Sequence, residues 1–466
     1  MDERHTKLIL RLSGVQHASL MRHLFPGDGK ESVAVALCGS RMGSERLVLC
    51  LHQIKKIPDS TCIERTPVSV TWPIEPIVPF IAEAERKHMA MLKIHSHPTG
   101  YSDFSSFDDA SDATLLGSLA HLIPINVGHI SAIMMPDGTI YARRLAPSGK
   151  FEFIDVVVVV DDEVRFYNRT STSTTITDDV YLRTKQAFGE GTTSILKGLR
   201  IGVVGCSGTG SWVVEMLARL GAGEIVLVDP DKVERKNLNR IINSTSDDAA
   251  QGRPKVDVLA RAIKALDIGT ETRPFPDSLL SRETVYALAE CDFLFGCVDS
   301  ADGRDVLNRI AAFYLVPYID VGVHLQADGK GSVTQICAAV HYLLPGGSSL
   351  LSRGVITSEQ VRAQALQRKH PAQYEALRKE GYIQGAAVDS PAVISVNGFA
   401  ASHAVNEMLA RLHPFRRDPN SEYRHQIFSL SDGAWLRVAD ENACPLLSRR
   451  TGRGDCHPLL DDAELT

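Results

Sequence analysis

Residues 200–228 read RIGVVGCSGTGSWVVEMLARLGAGEIVLV, which is an apolar strand, a glycine-rich loop, a helix and a second apolar strand. The loop runs from Gly205 to Gly210, and Gly221 ends the helix that follows it. Strands that alternate with helices favour a parallel sheet with helical crossovers. The stretch therefore predicts an α/β fold for the second half of the chain.

The loop itself is a candidate phosphate site. Small residues such as Gly205, Gly208 and Gly210 let backbone N–H groups approach phosphate, and a helix start favours anions. Asp229 follows the second strand in the sequence Leu-Val-Asp-Pro-Asp231, where an acidic residue commonly binds ribose hydroxyls. A glycine loop in this context indicates a nucleotide without identifying it, because such motifs match many unrelated proteins.

Polar residues farther along the chain narrow the choice of nucleotide. Beyond the loop come Asn237 and Arg240 in Asn-Leu-Asn-Arg, Lys255 at the end of Gly-Arg-Pro-Lys, and Asp299 after an apolar strand. Each of them alone is more often a solvated charge or a helix cap. Together they suit a triphosphate with a divalent ion, because cations neutralise phosphate charge and a carboxylate binds magnesium. Hydride transfer to or from a nicotinamide requires no such set.

This ordered set resembles the ThiF/MoeB/HesA adenylyltransferases and the adenylating domains of ubiquitin-activating enzymes. The resemblance runs from about Tyr181 to Leu412 and implies a Rossmann-like fold with a mostly parallel sheet. It also implies a reaction in which the C-terminal carboxylate of a ubiquitin-like protein attacks the α-phosphate of ATP and pyrophosphate leaves. Catalysis would then rest on charge neutralisation and positioning rather than on a protein nucleophile.

The resemblance assigns a role to each position of the motif. The implied nucleotide-binding residues are Gly205, Gly208, Gly210, Asp229, Asp231, Asn237, Arg240, Lys255 and Asp299. Within that set Asp229 corresponds to the ribose ligand and Asp299 to the residue that binds Mg²⁺. Arg240 and Asp299 are the two implied catalytic residues.

Two features depart from the family pattern. Many relatives bind a structural zinc ion through two Cys-x-x-Cys pairs, whereas this chain has Ser349-Leu-Leu-Ser352 at the first pair and only Cys444 at the second. A structural site needs four ligands, so we expect no structural zinc in the second half. Cys337 lies in an apolar strand, where a thiol is usually inert, and no cysteine is therefore assigned to a thioester.

The first half carries a different constellation, in which His95-Ser-His97-Pro directly follows a short apolar strand. Alternate residues of an extended chain share a face, so the two imidazoles can point at one ion. Asp108 follows near a predicted helix start. Two imidazoles, a carboxylate and a water form a catalytic zinc site, and zinc lowers the pKa of its bound water to about 7. A His-x-His pair alone is more often a pair without metal.

The complete combination resembles the JAB/JAMM (MPN-type) metalloprotease motif, over about residues 5–160. That motif reads His-x-His-Pro, then Ser-x-x-Asp, with a glutamate upstream. The resemblance implies zinc bound by His95, His97 and Asp108. It also implies, as substrate, a peptide or isopeptide bond next to a ubiquitin-like tail.

Two more residues of this motif are predicted to act in catalysis. Glu31 precedes an apolar strand and would move protons as general acid and base. Ser105 would donate a hydrogen bond to the oxygen that becomes anionic during attack on the amide. Glu45 and Glu64 also lie upstream, so the choice of glutamate stays open at this point.

The polar stretch 161–181 separates the two constellations. We predict a JAB/JAMM-like metalloprotease domain over residues 1–160, a linker over 161–181 and a ThiF/MoeB-like adenylyltransferase domain over 182–466. Both domains are predicted to be α/β.

Composition limits the functional classes further. The net charge of −6 and a pI near 6.2 do not predict a large nucleic-acid surface. Nine scattered cysteines fit a reducing compartment, and no export or membrane-spanning segment is evident. We therefore expect a cytoplasmic protein that binds neither nucleic acid nor membrane.

The fusion of two such domains suggests one pathway. The protease would trim a ubiquitin-like precursor or remove the modifier from targets, and the second domain would activate the exposed glycine terminus. Resemblance points to bacterial ubiquitin-like conjugation operons, several of them linked to antiviral defence, with a conjugating enzyme as partner and a homodimer as the assembly. The alternatives are sulfur-carrier activation for cofactor or siderophore synthesis, and a non-catalytic scaffold that binds a ubiquitin-like tail.

Overall fold

The structure is a computed structural model that describes residues 6–169, 179–328, 330–379, 392–440 and 442–465. We refer to residues 6–169 as the N-terminal unit and to residues 179–465 as the C-terminal unit. The N-terminal unit comprises β1 (Lys7–Ser13), α1 (Gly14–Leu24), β2 (Val33–Met42), β3 (Arg46–Lys56), β4 (Glu64–Thr66), β5 (Ser69–Thr71), α2 (Val78–Lys87), β6 (Ala90–Ser96), α3 (Ser106–Leu122), β7 (His129–Met134), β8 (Ile140–Leu145), β9 (Phe151–Phe153), β10 (Val156–Val160) and β11 (Arg165–Asn168).

Nine of these strands form one mixed sheet in the order β11-β10-β1-β3-β2-β6-β7-β8-β9. Strands β4 and β5 form a separate hairpin. Strand β6 pairs antiparallel with β2, so that His95 lies opposite Val33, and parallel with β7. This register places the end of β6 beside the start of β2, which Glu31 precedes by two residues.

The five consecutive valines of β10 are explained by burial of both faces of the strand. Val157 and Val159 pack in the core of the N-terminal unit, whereas Val156, Val158 and Val160 pack in a core shared with the C-terminal unit. Successive side chains of a strand point to opposite faces, and β-branched residues fit a strand covered on both sides. The apolar run therefore marks where the two units meet.

The C-terminal unit comprises α4 (Leu182–Gly198), β12 (Arg200–Val204), α5 (Gly208–Leu220), β13 (Glu224–Val228), α6 (Ser246–Gln251), α7 (Lys255–Leu266), β14 (Glu271–Phe275), α8 (Arg282–Ala289), β15 (Phe293–Gly296), α9 (Ala301–Tyr314), β16 (Tyr318–Ala327), β17 (Val333–Leu343), α10 (Ser358–Lys369), α11 (Pro371–Lys379), α12 (Ile394–Leu412), β18 (His425–Ser429) and β19 (Ala434–Arg437). No helix in the described ranges combines the length and apolar character that crossing a bilayer requires.

The sheet of the C-terminal unit has the order β14-β13-β12-β15-β16-β17-β18-β19. The strands from β14 to β16 are parallel, and the three that follow are antiparallel. The sheet is thus mixed, where the sequence predicted a mostly parallel one. The difference arises because β16 and β17 form a long hairpin without a helical crossover, which reverses the chain direction.

A second difference concerns the predicted linker. Residues 165–168 form the edge strand β11, which pairs antiparallel with β10. Asp161 and Asp162, between these strands, contact the C-terminal unit through the Tyr342 hydroxyl and the Arg411 guanidinium. The polar residues of this stretch therefore form ion pairs and an edge strand rather than a flexible linker. Residues 170–178 of the predicted linker lie outside the described ranges.

A buried arginine joins the two units. Arg11 on β1 is 1% exposed and donates hydrogen bonds to the carbonyl oxygens of Ala289, Cys291 and Tyr314 at 2.8–3.1 Å. Arg46 on β3 pairs with Asp292 at 2.9 Å. Most of these contacts lie just before β15, so the N-terminal unit covers the amino ends of the parallel strands and leaves their carboxyl ends open.

Candidate functional site

A cavity of about 560 Å³ opens at the carboxyl ends of the parallel strands. In sheets of this kind ligands bind at that edge, near the point where the strand order reverses. Eight predicted nucleotide-binding residues line the cavity: Gly205, Gly208, Asp229, Asp231, Asn237, Arg240, Lys255 and Asp299. All of the residues that line it belong to the C-terminal unit.

The glycine loop is packed so tightly that side chains are excluded. Gly205 has φ +90°, and a Cβ there would stand 2.5 Å from the carbonyl oxygen of Cys297. A Cβ at Gly210 would overlap the carbonyl oxygen of Gly205, so Gly210 supports the loop from within and does not line the cavity. Helix α5 begins at Gly208, and its first N–H groups are therefore available to an anion at the cavity.

Asp229 ties the glycine loop to the next strand. Its Oδ2 accepts a hydrogen bond from the Cys206 N–H at 2.7 Å, and its Oδ1 accepts one from the Asp231 N–H at 2.9 Å. Lys255 Nζ lies 3.5 Å from Asp229 Oδ1 and 2.7 Å from Asp231 Oδ2. Burial raises the pKa of Asp229, although Lys255 opposes that shift. The lysine is thus a buried cation held at the cavity wall.

Asn237 and Arg240 occupy the same wall but are held differently. Asn237 is buried, and its Oδ1 accepts a hydrogen bond from the Glu234 N–H at 2.9 Å, which fixes the turn. Arg240 is half-buried and donates to the Lys236 carbonyl oxygen at 2.9 Å. The arginine side chain is therefore the more exposed of the two groups at this wall.

The opposite wall combines the predicted Asp299 with two residues to which the sequence assigned no role. Asp299 is exposed just beyond β15. Arg304 and Asn397 also line the cavity, and a Cβ at Gly208 would overlap the Asn397 amide nitrogen. Arg304 lies in the same polar stretch as Asp299, but the sequence assigned it no role. Asn397 comes from the distant helix α12, and no local signal could have revealed it.

Helix α10 closes over one end of the cavity. Gln364 Oε1 accepts hydrogen bonds from the backbone N–H groups of Ala301 and Asp302, at the start of α9. Arg368 pairs with Asp302 and lines the cavity. A side chain of α10 thus satisfies helix donors that would otherwise need water or a ligand.

The thiols near the cavity are not activated. Cys297 lines it, and Cys206 lies fully buried under the loop. Burial raises the pKa of both thiols far above the usual value. Since the thiolate is the nucleophilic form, neither cysteine is poised to form a thioester.

The Ser349–Ser352 segment, at the position where the family resemblance implies a Cys-x-x-Cys pair, is held by hydrogen bonds. The Ser349 N–H donates to Ser352 Oγ at 2.9 Å, and the Ser352 N–H donates to Ser349 Oγ at 3.1 Å. The Cys444 N–H donates to the Gly347 carbonyl oxygen at 2.9 Å, so the two segments do meet. Two hydroxyls and one buried thiol are a poor donor set for zinc.

The N-terminal unit contains a second buried polar cluster, at the end of β6. His95 Nε2 lies 3.1 Å from His97 Nε2 and 2.9 Å from Asp108 Oδ1. His97 Nε2 lies 3.6 Å from Asp108 Oδ2. Ligands of a tetrahedral zinc ion at about 2.0 Å are about 3.3 Å apart, so these three side chains fit such an ion. His95 Nδ1 is buried without a hydrogen-bond partner among the described residues.

A helix cap positions the carboxylate of this cluster. Ser105 is the N-cap of α3: its Oγ donates to Asp108 Oδ2 at 2.7 Å and accepts from the Asp108 N–H at 3.2 Å. Burial alone would raise the pKa of Asp108, but its hydrogen bonds to His95 and His97 hold it well below the usual value. The Ser105 hydroxyl is thus committed to Asp108 in this structure, and its predicted contact with an oxyanion stays a prediction.

Geometry distinguishes among the three upstream glutamates. Glu31 is buried, and its Oε1 lies 4.0 Å from His97 Nε2. Burial raises the pKa of Glu31 to about 7. Glu45 instead pairs with Arg200 at the boundary between the units, and Glu64 lies exposed on the β4–β5 hairpin. Only Glu31 stands beside the histidines.

Comparison with known proteins bears on the C-terminal unit. Residues 181–445 match the sequence model of the ThiF family. The SAMP-activating enzyme E1 of Haloferax volcanii is 30% identical over 125 residues, which are 27% of this chain and 46% of that protein. Ubiquitin-like modifier-activating enzyme 5 of Drosophila pseudoobscura pseudoobscura is 27% identical over 183 residues, which are 36% of this chain and 43% of that protein. The chain thus spans less than half the length of these curated relatives.

Among solved structures, E. coli MccB with MccA-N7isoASN has a TM-score of 0.46 and 17% sequence identity. The match covers 59% of this chain and 75% of that one.

Proposed function

The chain belongs to the ThiF family, and on that premise we propose that the C-terminal unit adenylates the terminal carboxylate of a ubiquitin-like protein, with ATP and Mg²⁺. One oxygen of the carboxylate bonds to the α-phosphorus, the bond from that phosphorus to its bridging oxygen breaks, and pyrophosphate leaves. The observation that carries the proposal is the single cavity that gathers the glycine loop, Asp229, Lys255 and Asp299.

Each part of the cavity has a task in this reaction. Backbone N–H groups of the loop and of the start of α5 bind phosphate oxygens, and Asp229 with Asp231 faces the ribose. Arg240 and Lys255 neutralise phosphate charge. Asp299 would hold Mg²⁺, which offsets the charge of the triphosphate when bound. No protein nucleophile is needed, in keeping with the raised thiol pKa of Cys297.

We further propose that the N-terminal unit is a zinc-dependent peptidase acting at the glycine end of the same modifier. His95, His97 and Asp108 would hold the ion, and the ion would supply Lewis acidity to a water molecule when bound. Glu31 takes up a proton during attack and returns it to the leaving amine. Its buried carboxylate, with Oε1 4.0 Å from His97 Nε2, lies close enough to the proposed metal site to exchange a proton there.

The two proposed activities suggest a bacterial ubiquitin-like conjugation system, with antiviral defence as the proposed setting. A conjugating enzyme would accept the adenylated modifier directly, since the cavity has no activated thiol among the described residues. The proposed assembly is a homodimer in the cytoplasm. The mass of the modifier after reaction distinguishes the sulfur-carrier alternative. A thiocarboxylate has one sulfur atom in place of one oxygen atom and is therefore about 16 Da heavier than the carboxylate.

ATP–pyrophosphate exchange tests the adenylation proposal. With a ubiquitin-like protein ending in glycine from a neighbouring gene, exchange should require that protein and magnesium. Arg240→Ala should slow exchange at least tenfold, because a phosphate-neutralising cation is lost. Arg235→Ala is the matched control, since Arg235 is exposed nearby and does not line the cavity. Exchange that persists without any carboxylate substrate, or equal loss in both variants, would contradict the proposal.

Cleavage of a modifier fused through its terminal glycine to a short peptide tests the peptidase proposal. His97→Ala should abolish cleavage and lower the zinc content measured by mass spectrometry. His121→Ala is the control, because His121 is exposed on α3 outside the cluster. Cleavage unchanged in His97→Ala would refute the assignment.

A further inference from the structure

Arg304 and Asp320 form a buried ion pair at the cavity that has no role yet in the proposed adenylation. Arg304 on α9 lines the cavity, and its Nε lies 3.2 Å from Asp320 Oδ1 on β16. The arginine side chain is 15% exposed, whereas that of Asp320 is 0% exposed. The charge of the pair therefore reaches the cavity only through the guanidinium.

The pair is poorly satisfied as a structural element. Asp320 Oδ1 accepts a hydrogen bond from the Tyr318 hydroxyl at 2.8 Å, but Oδ2 has no hydrogen-bond partner in the described part of the chain. Arg304 Nε likewise lacks a partner with hydrogen-bond geometry there. A buried ion pair with unfilled bonding capacity is a weak source of stability compared with apolar packing. The arrangement calls for another reason to hold a carboxylate at this depth.

The position of Arg304 separates it from the cations that serve the phosphates. Lys255 and Arg240 lie on the wall that follows β13, whereas Arg304 lies beyond Asp299, against β16. A Cβ at Gly322 would stand 3.2 Å from Arg304 Nη2, so the guanidinium lies against the one residue of β16 that has no side chain. A second anion would be bound here, apart from the triphosphate.

We propose that Arg304 binds the terminal carboxylate of the polypeptide to be adenylated, and that Asp320 is the residue that positions Arg304. This inference rests on the proposed adenylation. A guanidinium presents a planar fork that matches a carboxylate, and Asp320 faces its Nε while the Nη groups remain for the cavity. The backbone at Gly322 carries no side chain, which suits the passage of a glycine-ended tail. Holding the nucleophilic carboxylate in place supplies the orientation that the reaction requires.

Binding measurements on the full chain test this division of roles. The probes are a synthetic decapeptide ending in Gly-Gly with a free carboxylate, the same peptide as its C-terminal amide, and a non-hydrolysable ATP analogue with Mg²⁺. Wild-type protein loaded with the analogue should bind the free acid at least tenfold more tightly than the amide. Arg304→Gln should remove that preference while changing the Kd of the analogue less than twofold.

Asp320→Asn should reduce the preference at least threefold, since it keeps the shape of the side chain but releases Arg304. Gly322→Ala should act in the same direction without altering any charge, which keeps the test usable if Asp320→Asn does not fold. Arg309→Gln is the matched control, because Arg309 lies on the same helix and pairs with Asp305 away from the cavity. A merely structural role would lower binding of analogue and both peptides together.

Equal binding of the free acid and the amide by the wild type would overturn the inference. An Arg304→Gln variant that still prefers the free acid would also overturn it, as would an Arg304→Gln variant that binds the ATP analogue more weakly but binds the peptides as the wild type does. Wild-type protein that fails to bind the ATP analogue would instead contradict the adenylation proposal itself.

Discussion

Glu31 offers a test that separates a proton carrier from a metal ligand. If it moves protons, Glu31→Gln should reduce tail cleavage by about 10²–10⁴-fold while the zinc content stays near that of the wild type. The amide keeps the size of the side chain but cannot accept and return a proton. The measurement pairs single-turnover cleavage with zinc analysis of the same sample.

Two outcomes would count against this role of Glu31. Zinc lost together with activity would make Glu31 a ligand, which its proximity to His97 also permits, since Glu31, His95 and His97 have donor atoms within 4.8 Å of one another. If cleavage were retained in Glu31→Gln but lost in a Glu64 variant, Glu64 on the β4–β5 hairpin would be the general acid and base instead.

Cys297 should be dispensable for adenylation despite lining the cavity. Burial keeps its thiol protonated, so it supplies neither a nucleophile nor a charge. Cys297→Ala should therefore retain pyrophosphate exchange within about threefold, because the substitution removes one sulfur atom and no charge. A thioester trapped on this residue, seen as a modifier adduct that is cleaved by thiol, would contradict the prediction.

At the scale of elements, a short C-terminal segment, residues 451–455, joins the two units. The Gly39 N–H donates to the Gly452 carbonyl oxygen at 3.2 Å, and the Gly452 N–H donates to the Ala312 carbonyl oxygen at 2.9 Å. The segment therefore bonds to β2 on one side and to α9 on the other. Gly452 has φ +75°, and a Cβ there would overlap the Leu51 carbonyl oxygen.

Gly452→Ala should therefore destabilise the protein by about 2–4 kcal/mol, because it adds a steric overlap to the strain of a left-handed backbone. Gly433→Ala is the matched control: Gly433 has φ +65° but nothing within 4 Å of the added Cβ. It should cost only the backbone strain, about 1 kcal/mol. Thermal unfolding of both variants measures the loss of stability. Equal losses would mean that the close contact between Gly452 and Leu51 does not contribute to stability.

The elements also explain what the sequence could predict. The glycine loop and the His-x-His-Pro motif are local patterns, and the structure brings their residues together as expected. Ser105, by contrast, is occupied in a helix cap, and the Arg304–Asp320 pair joins a helix to a strand that follows it in the chain. Such contacts depend on how helices and strands pack against each other, and the spacing of residues along the chain does not predict that packing. Strand β11 was missed because its four residues, Arg165–Asn168, are too few to show an alternating apolar pattern.

At the scale of the whole molecule, the units share a core and a charged boundary, so they should unfold together. Burial alone would raise the pKa of Asp292, but the cations Arg46 and Arg11 hold it below its usual value. Its contribution to stability is thus complete above the unfolded pKa of about 3.9 and is lost as pH falls through the lower folded value.

Acid should therefore weaken the boundary only below about pH 4, seen as a fall in the unfolding temperature. Asp292→Asn should lower stability at neutral pH by about 3–5 kcal/mol, because Arg11 and Arg46 are left unpaired, and should flatten the acid dependence. Two separate transitions at neutral pH in the wild type, or an unchanged acid slope in the variant, would show that this pair does not couple the units.

The placement of the two sites predicts how the two proposed activities would share a substrate. The N-terminal unit covers the amino ends of β12 and β15, whereas the cavity opens at their carboxyl ends and is lined by no residue of that unit. The histidine cluster lies at the start of β2, and the end of β2 is the part that meets Glu290. A strand of this length spans about 30 Å, so a tail cannot lie in both sites at once without release.

A precursor that must be trimmed before activation should therefore pass between the sites by diffusion. An equimolar mixture of His97→Ala and Asp299→Ala chains should form adenylate from precursor at a rate set by each active site's concentration, close to half that of the wild type. Dilution at constant precursor should slow the mixture and the wild type equally, because neither retains the trimmed tail. If dilution slowed adenylate formation by the mixture but not by the wild type, the trimmed tail would pass directly between the two sites of one chain. Direct transfer would require the two units to change their relative arrangement.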